Sequence, residues 1–183
     1  MKIIKKSIFI GALALALGTS AQAMDTVLYT KMVNDTVHEV RGGFVPNVKR
    51  YIKMQKQLVQ LGVAGSKEYI MQHPEHADIL GLVVDNADNM MKMTLDEIED
   101  QWHQGKFLKS HGHDVTQMDH FGELFSLMDS IIHPATAYIA LKEYKRTSNT
   151  AYLDRTAAEL IEVVEHIAQI GKKGQGTKLT SNH

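Results

Sequence analysis

The sequence contains no cysteine, and this absence excludes several ways of stabilising a protein or binding a metal. Without thiols, the 183-residue chain can form no disulfide, no thiolate metal site and no covalent c-type haem attachment. The fold must therefore depend on the packing of its core. Histidine is the side chain in sufficient excess to suggest chemistry, with ten copies.

Proline and alternating β-strand patterns are also scarce. The chain has only three prolines, and its apolar residues recur every three or four positions. This pattern predicts an all-α, single-domain, irregular helical bundle of five or six helices over residues 24–171. The first helix is predicted over residues 25–41, and the second is predicted to run from near Pro46 to Gly62.

Long apolar runs are absent except near the N-terminus. Lys2, Lys5 and Lys6 precede an apolar run over residues 8–17, and the small residues of Ala21-Gln22-Ala23 follow it. This pattern predicts a secretory signal peptide over residues 1–23, and hence a periplasmic or secreted protein with no membrane span after its removal. Residues 172–183 have little to bury and are predicted to form a disordered tail.

Charge and motifs argue against two classes of function. The formal net charge is −1, and removal of the three signal-peptide lysines leaves 17 basic against 21 acidic residues. This balance argues against nucleic acid as a partner. The sequence has no Gly-x-Ser-x-Gly elbow, no phosphate-binding glycine-rich loop and no His-Glu-x-x-His pair. We therefore expect a protein that is not an enzyme.

Residues 73–133 hold seven of the ten histidines and are predicted to form a long central antiparallel helical hairpin. The first helix is expected from Pro74 to Gly105, and the second begins near a capping-box-like sequence at residues 116–119. Pro134 is expected to kink or break the second helix. One stripe of apolar residues supports the first helix: Leu80, Val84, Ala87, Met91, Leu95, Ile98 and Trp102.

A transition-metal site is predicted at the end of this hairpin. In an antiparallel pair, the last residues of one helix and the first of the next lie at the same end, and the loop between them closes over that end. Imidazoles and carboxylates there would suit Zn²⁺, Cu²⁺ or Ni²⁺. The predicted metal-site residues are His103, His111, His113, His120, Asp114 and Glu99.

A separate ligand pocket is predicted farther along the returning helix. Ser126, Asp129 and His133 form a polar strip beside its apolar face, and Trp102 is expected to contribute to the same pocket. At about 1.5 Å per residue, His133 would lie roughly 20 Å from His120 and outside the metal site. On helical wheels His38 and His166 point away from the apolar faces of their helices, so both are predicted to be solvated.

Three functions fit these observations. The first is a non-catalytic periplasmic protein that binds a small ligand or transition metal through the histidines of the hairpin. The second is a protein–protein interaction or sensory module with a periplasmic protein partner and no cofactor. The third is a haem-binding bundle with Met32 and His166 as axial ligands, which the outward direction predicted for His166 disfavours.

Overall fold

A computed structural model describes residues 24–120, 122–168 and 170, and within them every regular element is helical. The predicted signal peptide and the whole of the predicted tail therefore lie outside the described residues. The prediction of an all-α bundle is confirmed, although the described residues form seven α-helices rather than five or six. These are α1 (Thr26–Val40), α2 (Val48–Gln72), α3 (Ala77–Met90), α4 (Leu95–Ile98), α5 (Lys106–Ser110), α6 (Glu123–Thr147) and α7 (Ala151–Ile167).

Helix α2 continues through the glycine at which the sequence predicts its end. It spans 25 residues, and Gly62 lies in its interior. This position requires glycine because a larger side chain would not fit. A Cβ atom at this position would come within 2.6 Å of the carbonyl oxygen of Ser130 on α6. Gly62 therefore allows α2 and α6 to approach closely, and it does not end the helix.

The first arm of the predicted hairpin is not one long helix. Helix α3 ends at Met90, and a new helix begins after Thr94. The Thr94 hydroxyl accepts a hydrogen bond from the Glu97 amide, and the Glu97 carboxylate accepts one from the Thr94 amide, which together form a capping box. Helix α4 then passes into one turn of π-helix over Glu99–His103.

The second arm also begins later than predicted. Residues 116–119 do not cap a helix, because the Asp114 carboxylate accepts hydrogen bonds from the amide and hydroxyl of Thr116. A short 3-10 turn over Val115–Gln117 follows, and α6 starts only at Glu123. The connection between the arms is therefore longer and more structured than a simple hairpin loop.

The sequence predicts a kink or a break at Pro134, and helix α6 runs through this residue without a break. A proline has no N–H, so it cannot donate to the carbonyl four residues earlier, which belongs to Ser130. The hydroxyl of Tyr29 on α1 donates to that carbonyl at 2.8 Å. This hydrogen bond replaces the missing donor, and it helps the helix to continue.

Helix α6 lies at the centre of the bundle, packed mainly against α7 and α2 and also against α3. It is long and apolar enough to cross a membrane, but 83% of its most apolar 18-residue window is buried within the protein, as in the core helix of a soluble bundle. A three-residue turn joins it to α7, so the two helices run antiparallel. Polar side chains on one helix therefore face those on the other.

Candidate metal centre

The facing surfaces of α6 and α7 bury four ionisable side chains in the core. Asp129 and His133 are one turn apart on α6, and Glu159 and His166 are two turns apart on α7. Each has at most 6% of its surface exposed. Charged residues are buried this deeply only when they are paired or bind an ion, so the cluster requires a chemical explanation.

Two imidazoles and one carboxylate converge in this cluster. The Oε2 atom of Glu159 lies 2.8 Å from Nδ1 of His133 and 3.4 Å from Nε2 of His103. Possible ligand atoms of the three residues all lie within 4.8 Å of one another. Two ligands bound at about 2.1 Å to a tetrahedral ion are about 3.4 Å apart, so this spacing is close to that of a metal site. We call these three residues the inner group.

Further polar residues orient the inner group. Nε of Arg155 donates to Oε1 of Glu159 at 2.6 Å, and its guanidinium also pairs with Glu99. His103 forms a 2.8 Å hydrogen bond with the hydroxyl of Thr136 on α6. Arg155 fixes the carboxylate, whereas Thr136 holds the His103 ring through Nε2, the same nitrogen that faces Glu159, so an ion bound to that nitrogen would replace this hydrogen bond.

The charges of the inner group depend on each other. Burial alone would lower the pKa of His133, but its contacts with Asp129 and Glu159 and their negative charges raise it to about 10. Burial would raise the pKa of Glu159, but His133, His103 and Arg155 lower it. Burial lowers the pKa of His103 despite the opposing charge of Glu159, which keeps this imidazole neutral near pH 7. The centre therefore contains an imidazolium between two carboxylates.

A second group of the same composition lies beside the first. His120, Glu162 and His166 offer ligand atoms within 4.8 Å of one another, and we call them the outer group because His120 and Glu162 are exposed. The rings of His120 and His166 are 4.7 Å apart and perpendicular. Burial lowers the pKa of His166 although the charge of Asp129 opposes it.

A small cavity of about 100 Å³ connects the groups. His103, His120, His133, Asp129 and Trp102 all contribute to its lining. Within the described part of the chain, two buried polar atoms of the lining have no hydrogen bond: Nε1 of Trp102, and Oδ2 of Asp129, whose contacts are ion pairs with His133 and His166. Such unsatisfied atoms are costly, and bound water or an ion commonly accounts for them.

A larger groove, of about 720 Å³, lies elsewhere, between α2 and α6. Its charged lining is mostly basic, with Lys49, Lys53, Lys56 and Lys142 among the contributors. These side chains would repel a cation. The smaller cavity is therefore the better metal site despite its size.

The structure brings together only some of the predicted metal-site residues. His103 belongs to the inner group and His120 to the outer group, whereas Glu99 contacts the inner group only through Arg155. Asp114 caps the 3-10 turn, and Nδ1 of His111 contacts the carbonyl of Phe107. His113 lies in the connecting loop and belongs to neither group. The hairpin loop is thus not the centre of the site.

The predicted pocket is closer to the observed site. Asp129, His133 and Trp102 line the cavity, while the hydroxyl of Ser126 is buried and donates to the carbonyl of Gly122. The expected separation of His133 from the hairpin-end site is wrong, because the ring of His103 lies 5.1 Å from that of His133. His103 contacts the middle of α6 and not its beginning, so the two predicted sites merge.

Three contributing residues are absent from the predicted metal site and ligand pocket: Glu159, Glu162 and His166, all on α7. His38 is exposed as predicted, but His166 has only 2% of its surface exposed, so its predicted solvation is wrong. The spacing of the three residues, three and then four positions apart, places them on one edge of the helix. That pattern of carboxylates and histidine was a usable signal.

Comparisons with protein-family models, with curated proteins and with solved structures found no match to this chain.

Proposed function

We propose that this protein binds a divalent transition-metal ion through His103, His133 and Glu159. The observation that carries the proposal is the convergence of two imidazoles and one carboxylate in the core, at separations close to those of bound ligands. Two imidazoles with one carboxylate form a common ligand set for Zn²⁺ and for Fe²⁺, and imidazole also suits Cu²⁺ and Ni²⁺.

The charge of the surroundings supports a cation of this kind. The surroundings contain three carboxylates and one guanidinium: Glu99 and Glu159 pair with Arg155, and Asp129 pairs with His133 and His166. With neutral imidazoles this set carries a net charge of −2, which a divalent ion would balance. In the metal-free protein the proton on His133 balances only one of these charges. A bound ion therefore replaces a proton at His133 and completes the neutralisation.

The proposed role is metal binding in the cell envelope, without catalysis. The N-terminal pattern of lysines, apolar residues and small residues supports export. Fractionation of cells that express the full chain would test this location, with the expected product lacking residues 1–23. Retention of the intact chain in the cytoplasm would contradict the proposed export.

Zn²⁺ titration of the untagged protein tests the binding itself. We expect His103→Ala to lower Zn²⁺ affinity by more than the roughly 10–100-fold that loss of an outer-shell partner costs. His103 is half-buried and neutral, so its removal leaves no buried charge without a partner. Circular dichroism would confirm that the variant is folded.

His111→Ala is the matched control, because it removes an exposed imidazole that the sequence alone assigns to the metal site. We expect its Zn²⁺ affinity to equal that of the wild type. Isothermal titration with Zn²⁺, Cu²⁺ and Ni²⁺ would measure both variants under one set of conditions. Equal affinities for His103→Ala, His111→Ala and the wild type would show that the core cluster is only a buried ion-pair network.

A further inference from the structure

The outer group repeats the chemistry of the inner group at the other side of Asp129. Each group has two imidazoles and one carboxylate, and each takes one imidazole from α6 or α7 and one from the segment between α4 and α6. The rings of His133 and His166, one from each group, lie 6.4 Å apart and nearly parallel. The two groups are therefore neighbours in one polar layer.

Asp129 lies between these two rings. Its Oδ2 atom is 3.3 Å from Nε2 of His166 and 3.8 Å from Nε2 of His133. The opposite ring nitrogen of His133, Nδ1, is the one that faces Glu159. In many metal sites one ring nitrogen binds the ion while the other donates to a carboxylate. Asp129 is placed for this supporting role toward both histidines.

We propose that His120, Glu162 and His166 hold a second divalent transition-metal ion, and that Asp129 is the shared supporting carboxylate of both sites. This inference rests on the proposed function, because it extends metal binding from the inner group to a two-ion centre. The buried Oδ2 of Asp129, which ion-pairs with both rings but has no hydrogen bond, is an observation in its favour, since two metal-bound imidazoles would each present an N–H to it.

The two sites should differ in strength. The inner group is largely buried and its carboxylate is held by Arg155, so its ligands are already positioned. Glu162 is exposed and loses side-chain freedom when it binds an ion, and His120 is also exposed to water. The positive charge of the first ion also disfavours the second. We therefore expect stepwise filling, with the inner ion bound more tightly.

The test is the number of ions per chain. The untagged wild type, dialysed against a series of free Zn²⁺ concentrations and analysed by inductively coupled plasma mass spectrometry, should bind two ions in two steps. Glu162→Gln should lose the weaker step and retain the tighter one. Glu165→Gln is the matched control, because it removes an exposed carboxylate three residues along the same helix and should retain both steps.

The outcomes separate this inference from the proposed function. Absence of any bound ion would overturn both. One ion per chain that is lost in His103→Ala and unchanged in Glu162→Gln would overturn the second site and leave the proposed function intact. A single ion lost in Glu162→Gln and unchanged in His103→Ala would overturn the inner site and, with it, the two-ion centre.

Asp129→Asn tests the sharing. Asparagine keeps the shape and an acceptor oxygen but loses the charge, so we expect both Zn²⁺ affinities to fall by about 10–100-fold. Loss in only one step would show that Asp129 serves one site alone. The Co²⁺-loaded wild type provides a second readout that does not depend on this variant. Its visible absorption should change in two stages as Co²⁺ is added, and a single stage complete at one ion would contradict the two-ion centre.

Discussion

Replacement of Tyr29 by Phe tests how α6 passes through Pro134. Tyr29 is fully buried, and its hydroxyl donates to the Ser130 carbonyl, whose usual donor in a helix would be the N–H of residue 134. The substitution removes only the oxygen atom and leaves that carbonyl buried. A net hydrogen bond contributes about 1 kcal/mol, whereas a buried group left unsatisfied costs about 1–3 kcal/mol. We therefore expect Tyr29→Phe to lower the free energy of unfolding by about 1–3 kcal/mol.

A double-mutant cycle with Pro134→Ala isolates the reason for this loss. Alanine restores the N–H at position 134, so the Ser130 carbonyl has a donor even without the tyrosine hydroxyl. Tyr29→Phe should then cost about 1 kcal/mol less in the Pro134→Ala background than in the wild type. Urea unfolding followed by circular dichroism measures the free energy of unfolding of all four proteins. Tyr138→Phe, which removes the hydroxyl of a half-buried tyrosine of α6, is a control. Additive effects within about 0.5 kcal/mol would refute the argument.

Two other predictions concern packing and charge. Gly62→Ala should destabilise the protein, because its Cβ would meet α6 at 2.6 Å. Gly81 has open space around it, so Gly81→Ala should be neutral or raise the free energy of unfolding by up to about 1 kcal/mol. Thermal melts of the two variants would check this, and equal shifts would contradict it. The folded pKa of His133 is raised to about 10 from about 6.5, so its stabilisation is complete below pH 6.5 and is lost as the pH rises through 10. We compare the free energies of unfolding of the wild type and His133→Asn, both without metal. Their difference should fall by at most about 1.4 kcal/mol per pH unit between pH 7 and 10. A constant difference would contradict a charged His133.

The sequence was sufficient to predict the helical fold class and the positions of individual residues whose role is local. Asp129 and His133 are one turn apart on any helix, and both line the observed cavity. Thr94 and Glu97 also form a local motif, a capping box, but the apolar stripe across it hid the break between α3 and α4. Where the periodic apolar stripe and the local capping motif conflicted, the hydrogen bonds of the cap determined the structure.

The remaining errors arose where the answer depends on a partner helix. Gly62 resembles a helix end in the sequence, and only the closeness of α6 shows why a glycine is needed within α2. His166 lies at the edge of the apolar face of α7, so a small error in the centre of that face moved it from the core to the solvent. The position of His103 beside Thr136 depends on the relative register of two helices, which no local pattern determines.

The three-residue turn between α6 and α7 has a consequence for the order of folding. A short connection has little loop-closure entropy to overcome, so these two helices can meet early and bring Asp129, His133, Glu159 and His166 together within one local unit. The Tyr29 hydrogen bond to Ser130, by contrast, joins residues 101 positions apart. We therefore expect most ligands of the metal centre to assemble in the first folding events. Helix α1 would then dock onto the pair of α6 and α7 that is already formed.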